Sequence, residues 1–360
     1  MTIRYVVQFA AYRDATTHAA AVGDALRLAG ACEASWRVVP RANAASAQPT
    51  DFALLELATA DEPEFRSILR ALRSCAGVRR VAIDRSLTLA TAAAPESAPP
   101  RARPGPPGVR ERSPAIVARG ASAAELLGAP SLWRHNHTGT GIRVAVFDSG
   151  LSAAGAMHIR NVESVLDWTD EAGADDALGH GTAVANLIGG SHPACPGAAP
   201  DATLLIYKVF TRAQASSTAW LLDALNHAKG SGAHLLNLSV GGPDFLDAVF
   251  VDKVRELSAA GIVIVSGAGN GGPLGGTLLN PADQPDVLAV GGLSANDEPS
   301  RIAAGLPPRL ARFSARGPTA WEQPSGGAPR WKPDVLAPAV RISAPGADGE
   351  CAAHTGTSFA

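Results

Sequence analysis

Four short stretches of this chain carry side chains that can do chemistry, in the order Asp148, His180, Asn270, Ser358. Asp148 closes the apolar run of GIRVAVFDSGL. An aspartate at the end of a buried strand can ligate a metal, accept a phosphoryl group, orient a histidine or cap a helix. His180 sits between Gly179 and Gly181 in LGHGTAVANLIGG, at the start of an apolar helix. That setting turns the ring towards the strand ends rather than into a core. Asn270 lies in the glycine turn of IVIVSGAGNGGP, where its amide can donate to a developing oxyanion. Ser358 sits in HTGTSFA, where small residues let the backbone turn sharply and leave a hydroxyl exposed. A serine, a histidine base, an aspartate to hold it and an amide donor together suit acyl transfer.

Other groups compete for attention. The strand of LLNLSVGGPDF ends in glycines, so Ser239, Val240 and Gly241 can pair with an extended peptide by β-addition, or simply form a turn. Asp244 beyond them can meet a cationic substrate side chain or be a turn aspartate. Gly267, Gly269 and Gly272 spell G-x-G-x-x-G, but Pro273 follows where a dinucleotide site needs a helix. That reading is rejected. His135-Asn136-His137 looks like a metal pair without a third ligand and reads as an exposed loop. His354, four residues before Ser358, reads as a loop residue.

Positioning these groups requires a scaffold. From Thr138 onward, continuous apolar runs at 143–147, 162–166, 204–209, 235–240, 262–266 and 287–290 read as strands. Helical periodicity lies at 181–188, 218–229 and 247–259. Such alternation predicts a parallel sheet with helices on both faces, with functional groups at the strands' carboxyl ends. Before it, strands at 3–9, 36–40, 52–57 and 78–89, with helices at 15–29 and 62–72, give β-α-β-β-α-β, a small ferredoxin-like α+β unit. Residues 91–117 are rich in Pro, Ala and Arg without apolar period and read as an extended linker open to proteolysis. The expected division is therefore 1–90, 91–117 and 118–360.

Composition narrows the class. With 360 residues and 46% hydrophobic content, the chain can bury about two cores. A net charge of −2 supplies no basic field for nucleic acid. The N-terminus MTIRYVVQFAAYRD is not patterned as a signal peptide, and no run is long enough for a membrane span. Cys32, Cys75, Cys195 and Cys351 show no metal-ligand spacing; four unpaired cysteines and one Cys195–Cys351 bridge both remain open.

The motifs DSG, GHGTAVA, GAGNGG and GTSFA, in this order, resemble the subtilase family of serine endopeptidases. TGTGIRVAVFDSGL, APDATLLIYKVFT, LLNPADQPDVLAVGG and RFSARGPTAW are similar to its pyrolysin-type, subtilisin–kexin isozyme branch. IRYVVQFAAY, SWRVVPRAN and PTDFALLEL resemble that branch's propeptide. The resemblance implies a subtilisin-like α/β fold, a zymogen, and Asp148, His180 and Ser358 as triad with Asn270 in the oxyanion hole. It implies an N-terminal unit that acts as chaperone and inhibitor in cis, and protein or peptide substrates cut after Arg-x-hydrophobic-x. Arg85-Ser86-Leu87-Thr88 is such a string, with self-cleavage expected after Thr88. No cofactor is needed for catalysis; structural calcium is possible. The implied location is the secretory pathway or Golgi. Departures are Asn186 where a glycine is usual, an insertion-like loop at 292–309, and a serine motif that stops at Ala360 before its helix. The chain thus reads as truncated. That leaves a non-catalytic inhibitory or binding module as the alternative, and a broad degradative subtilase as a third reading.

Overall fold

The computed structural model describes residues 2–41, 48–58, 62–89, 122–242, 247–294, 307–320 and 327–360. The expected linker, Asp244 and most of the 292–309 loop lie outside the described residues.

The N-terminal unit runs β1 (Thr2–Arg13), α1 (Ala15–Leu28), β2 (Trp36–Val39), β3 (Thr50–Ala58), α2 (Glu62–Ser74) and β4 (Val78–Ile83). Its sheet order is β2-β3-β1-β4, antiparallel throughout, as the ferredoxin-like order demands. Asp14 starts α1 as its N-cap by accepting from the Thr17 N–H. Alternate residues Tyr5, Val7 and Phe9 face Val22, Leu26, Ile68 and Leu72 of the two helices. The other face, Val6, Phe52 and Leu54, packs on Ala219, Leu222 and Val249 of the second unit.

The expected long strand at 78–89 is two. The chain leaves the first sheet after Ile83 and re-forms as β5 (Ser86–Leu89) against the second unit. The apolar pattern does not register that break, because Leu87 and Leu89 are as buried in their new surroundings as a core strand would be.

The second unit contains α3 (Ala123–Leu126), α4 (Ala129–Trp133), β6 (Arg143–Asp148), α5 (Ala153–Ala156), β7 (Val162–Asp167), α6 (His180–Gly189) and β8 (Thr203–Lys208). It continues with β9 (Ala215–Ser217), α7 (Thr218–Gly230), β10 (Leu235–Leu238), β11 (Val240–Gly241), α8 (Ala248–Ala259), β12 (Val263–Gly267) and β13 (Leu288–Ser294). It closes with β14 (Arg309–Leu310), β15 (Val335–Pro338), β16 (Ile342–Pro345), β17 (Cys351–His354) and a 3₁₀ turn at Thr357–Phe359. The large sheet has the order β14-β13-β12-β10-β6-β8-β7, with β15 also beside β13. Every pairing in it is parallel except β13–β14.

The pleat decides where Asp148 points. Ala145 and Phe147 pack with Leu225, Phe250 and Val254 of α7 and α8 on one face. Val144 and Val146 pack with Ala183, Val184 and Leu187 of α6 on the other. Side chains alternate along a strand, so Asp148 belongs to the α6 face. His180 is the first residue of that helix.

Candidate active site

His180 Nδ1 lies 2.7 Å from Asp148 Oδ1, with the aspartate fully buried and the imidazole nearly so. Asp148 Oδ1 also accepts from the Ser149 N–H at 2.8 Å. A buried carboxylate accepts only, so the imidazole proton sits on Nδ1 and Nε2 is the basic nitrogen. Nε2 makes no hydrogen bond among the described residues. Burial disfavours the imidazolium, but the charge and hydrogen bond of Asp148, with the charge of Asp176, outweigh it and raise the His180 pKa.

The 3₁₀ turn that carries Ser358 packs against the same histidine through its next residue. Phe359, the next residue, stacks obliquely on the His180 ring at 4.8 Å between centroids. Ser358 is buried, 8% exposed, where the sequence alone suggested an exposed hydroxyl. Its turn is closed in by Phe359, whose ring centroid also lies 5.0 Å from that of His354.

Asn270 reaches the turn from the loop after β12. Its Oδ1 accepts from both the N–H and the hydroxyl of Thr357, at 3.0 and 3.1 Å. With the carbonyl end on Thr357, the amide nitrogen lies at the start of the same turn, 3.6 Å from where a Cβ on Gly356 would stand. Between Gly272 and β13 no α-helix occurs among the described residues. The sequence missed the Thr357 tether; the only signal was a hydroxyl next to the candidate nucleophile.

The remaining expected residues divide. Val240 and Gly241 form β11 and pair with Leu89 and Thr88 of β5. On the other side β5 pairs with β9, Ser86 against Ser217 and Thr88 against Ala215. The end of the N-terminal unit thus lies as a middle strand between two strands of the second unit. Ser239 is buried but has no partner in this ladder among the described residues. Leu87 packs on Gly242, where a Cβ would come within 2.6 Å of its Cδ2. Arg85 accepts through its carbonyl from the Thr218 N–H at 2.9 Å. A cleft lined by Leu89, Leu178, His180, Gln214, His354 and Phe359 opens beside β5.

His354 is corrected by the structure. It ends β17 rather than lying in a loop, because the 351–354 run pairs with β16 and its ring meets the Ala344 carbonyl at 3.2 Å. His135, Asn136 and His137 are exposed, as expected for a loop. Asn186 leaves α6 intact and donates to the Gly155 and Thr182 carbonyls, at 3.2 and 3.0 Å.

Cys195 and Cys351 form a disulfide, which decides the open pairing question. Cys32 and Cys75 are free. Among the described residues, the one group of three side chains able to hold a metal is His192, Cys195 and Cys351, and its two sulfurs are bonded to each other. No trio of carboxylates suited to calcium occurs among those residues. No described helix is long and apolar enough to cross a membrane.

Residues 139–360 match the subtilase family, and residues 2–85 match the membrane-bound site-1 protease family N-terminal domain. The human membrane-bound transcription factor site-1 protease is 38% identical over 99% of this chain and 34% of its own length. Subtilisin-like protease SBT6.1 of Arabidopsis thaliana is 35% identical over the same shares. Subtilisin Savinase of Lederbergia lenta is 32% identical over 49% of this chain and 66% of its own. The chain spans about a third of the length of its site-1 protease relatives. The chain belongs to the subtilase family, and within it is similar to site-1 proteases.

Proposed function

We propose that this protein is a serine endopeptidase that hydrolyses peptide bonds through an acyl-enzyme. One observation carries the reading: the buried 2.7 Å Asp148–His180 contact faces the turn that holds Ser358. Ser358 Oγ attacks the scissile carbonyl while His180 Nε2 takes its proton, then returns it to the leaving amine. Water repeats the sequence to release the acid. Asp148 keeps the proton on Nδ1 and stabilises the imidazolium. The Asn270 amide and the Ser358 N–H bind the oxyanion; loss of one such donor costs about 10²–10³ in kcat.

Residues 1–90 serve as an inhibitory propeptide in this reading, supported by β5 lying between β9 and β11. Peptide substrates would take the same course along Ser239, Val240 and Gly241. The preferred substrate carries Arg-x-hydrophobic-x before the cut, with Asp244 meeting the arginine, and the processing bond follows Thr88. The names of the site-1 protease relatives favour a secretory-pathway or Golgi setting.

A fluorophosphonate probe tests the chemistry. We expect labelling of the wild-type chain and none of Ser358→Ala or His180→Ala. Equal labelling of all three would end the proposal. Mass spectrometry of the unlabelled chain locates the processing bond. A cut that persists in Ser358→Ala is not self-cleavage, and a cut elsewhere than after Thr88 overturns that assignment. If Asp244→Asn keeps the arginine preference, its role is wrong.

A further inference from the structure

Asp176 stands outside the four expected catalytic residues, yet it is 2% exposed and accepts five hydrogen bonds. Oδ1 takes the Ser149 hydroxyl at 2.8 Å, the Gly179 N–H at 2.9 Å and the Leu178 N–H at 3.1 Å. Oδ2 takes the N–H and hydroxyl of Thr182, at 2.8 and 2.7 Å. The donors come from three segments: the end of β6, the loop before α6, and the first turn of α6.

An ordinary helix cap would come from residue 179. Gly179 has no side chain to offer and sits at φ 77°, so the unpaired N–H groups of α6 are satisfied from elsewhere. Thr182 N–H goes to Asp176, and Gly181 N–H goes to the Ser149 hydroxyl at 2.9 Å. That hydroxyl in turn donates to Asp176. Ser149 follows Asp148 directly, and Gly181 follows His180 directly. The two catalytic candidates are therefore braced by their next neighbours, through one hydroxyl and one carboxylate. The approach is close: a Cβ on Gly181 would meet the Gly150 carbonyl oxygen at 2.5 Å.

Resting on the catalytic reading above, we propose that Asp176 is a positioning residue for the Asp148–His180 couple. It fixes the separation between strand end and helix start, and its buried charge supports the cation formed on His180 during acyl transfer. The groups that set the His180 charge state are Asp148 and Asp176, which favour the imidazolium; His354 packs on the same Phe359 ring, and the charge of His180 helps to lower its pKa. The cation behind the strand end, Lys208, is engaged with the Ser149 carbonyl at 3.3 Å and with Glu171.

The test needs a readout that a merely structural role would not move. NMR titration of histidine-labelled full-length chain follows His180 without any turnover. Asp176→Asn keeps the shape but removes the charge and sets an N–H₂ against the Thr182 donors. We expect the His180 titration to move to lower pH, with the acid limb of the hydrolysis profile following it. We expect kcat to fall by about 10–100-fold with little change in KM, the range for displacing a supported catalytic group. Asp176→Glu, which restores the charge, should return the titration towards wild type. An unmoved His180 titration in folded Asp176→Asn overturns the proposal.

Should Asp176→Asn not fold, Ser149→Ala removes one link and leaves the charge. A kcat reduced several-fold with an unmoved His180 titration supports bracing; a kcat within twofold of wild type overturns it. The two readings fail separately. Absence of fluorophosphonate labelling in wild type sinks the protease assignment, whereas the NMR result judges Asp176 by itself.

Discussion

The Asp148–His180 couple and the seam between the two units both bury charge, but they satisfy it from different sources. At the couple, each buried oxygen with a partner draws on the second unit alone: Ser149, Leu178, Gly179, His180 and Thr182. At the seam most partners come from opposite units. Lys253 on α8 has no exposed surface and donates to Asp51 of β3 at 2.8 Å, to the Tyr12 hydroxyl at 2.7 Å and to Glu256 at 2.8 Å. Arg41 pairs with Asp223 of α7 out of solvent, and Arg80 reaches Asp252 at 3.1 Å. Asp84 accepts from the Ala219 N–H at the start of α7 at 3.0 Å. A charge satisfied from within its own unit survives separation. One satisfied from across a seam must find water or a new partner, so the seam's electrostatics hold the units together only while they are together.

The largest expected effect lies at the couple. His180→Ala should lower kcat by about 10⁶, the size that subtilisin itself shows for its triad histidine. The thermal midpoint should stay within a few degrees, because the ring gives up only one hydrogen bond, to Asp148, and one oblique stack, on Phe359. Peptide hydrolysis and calorimetry on the same sample check both. A large loss of stability would mean that the couple is structural, and the contrast with the seam would collapse.

Next comes the seam. Asp51→Ala leaves Lys253 buried with one carboxylate instead of two, and removes the acceptor of the Gln8 and Asn226 amides. Breaking a buried pair from one side costs about 3–5 kcal/mol. Urea unfolding should show that loss, with hydrogen exchange accelerated in β1, β3, α7 and α8 and unchanged in β6. The exposed Arg27–Asp24 pair on α1 is the control: Asp24→Ala should cost about 0.5 kcal/mol or less. Similar losses from both variants would mean that solvent screens the seam.

This contrast also marks what the sequence could tell. Strand ends at Asp148 and before Asn270 were legible because buried parallel strands are apolar runs that stop at glycines or polar residues. The single strand expected at 235–240 is instead two, β10 in the large sheet and β11 paired antiparallel with β5. The triad candidates were legible because each carries its own local context. Asp176 was not singled out, although it lies four residues before His180 in DDALGH; adjacent aspartates give no hint of which one is buried. The seam was equally silent. Lys253, Asp51 and Tyr12 are ordinary on an exposed helix face or strand end, and only the docking of one unit on the other makes them core. The parting of β4 from β5 was hidden for the same reason, since the second unit supplies a burial that the first sheet does not.

The smallest effect concerns pH, and its sign separates two kinds of seam carboxylate. Burial, opposed by its bond to Ala219 and the charge of Arg4, raises the Asp84 pKa; burial likewise raises that of Asp247, which accepts from the Thr218 hydroxyl. A carboxyl with a raised folded pKa binds its proton more tightly when folded. Its favourable contribution is full below the ordinary aspartate value and is lost as pH rises through the folded pKa. Glu256 behaves in the opposite way. Burial would raise it, but hydrogen bonds from Lys229, Lys253 and Tyr12 hold it down to about 2. Its contribution is present above the ordinary glutamate value and fades as pH falls towards 2. Asp84→Asn keeps an acceptor for the Ala219 N–H and removes the titration. Its urea stability should therefore fall less than wild type between pH 4 and pH 7, by a margin of about 1 kcal/mol, the scale of one helix cap. Glu256→Gln should instead flatten the acid side. A wild-type curve that rises steadily through this window and is unchanged by Asp84→Asn would show that Asp84 stays solvated at the seam, and that the first α7 turn is capped from its own unit by Ser217 alone.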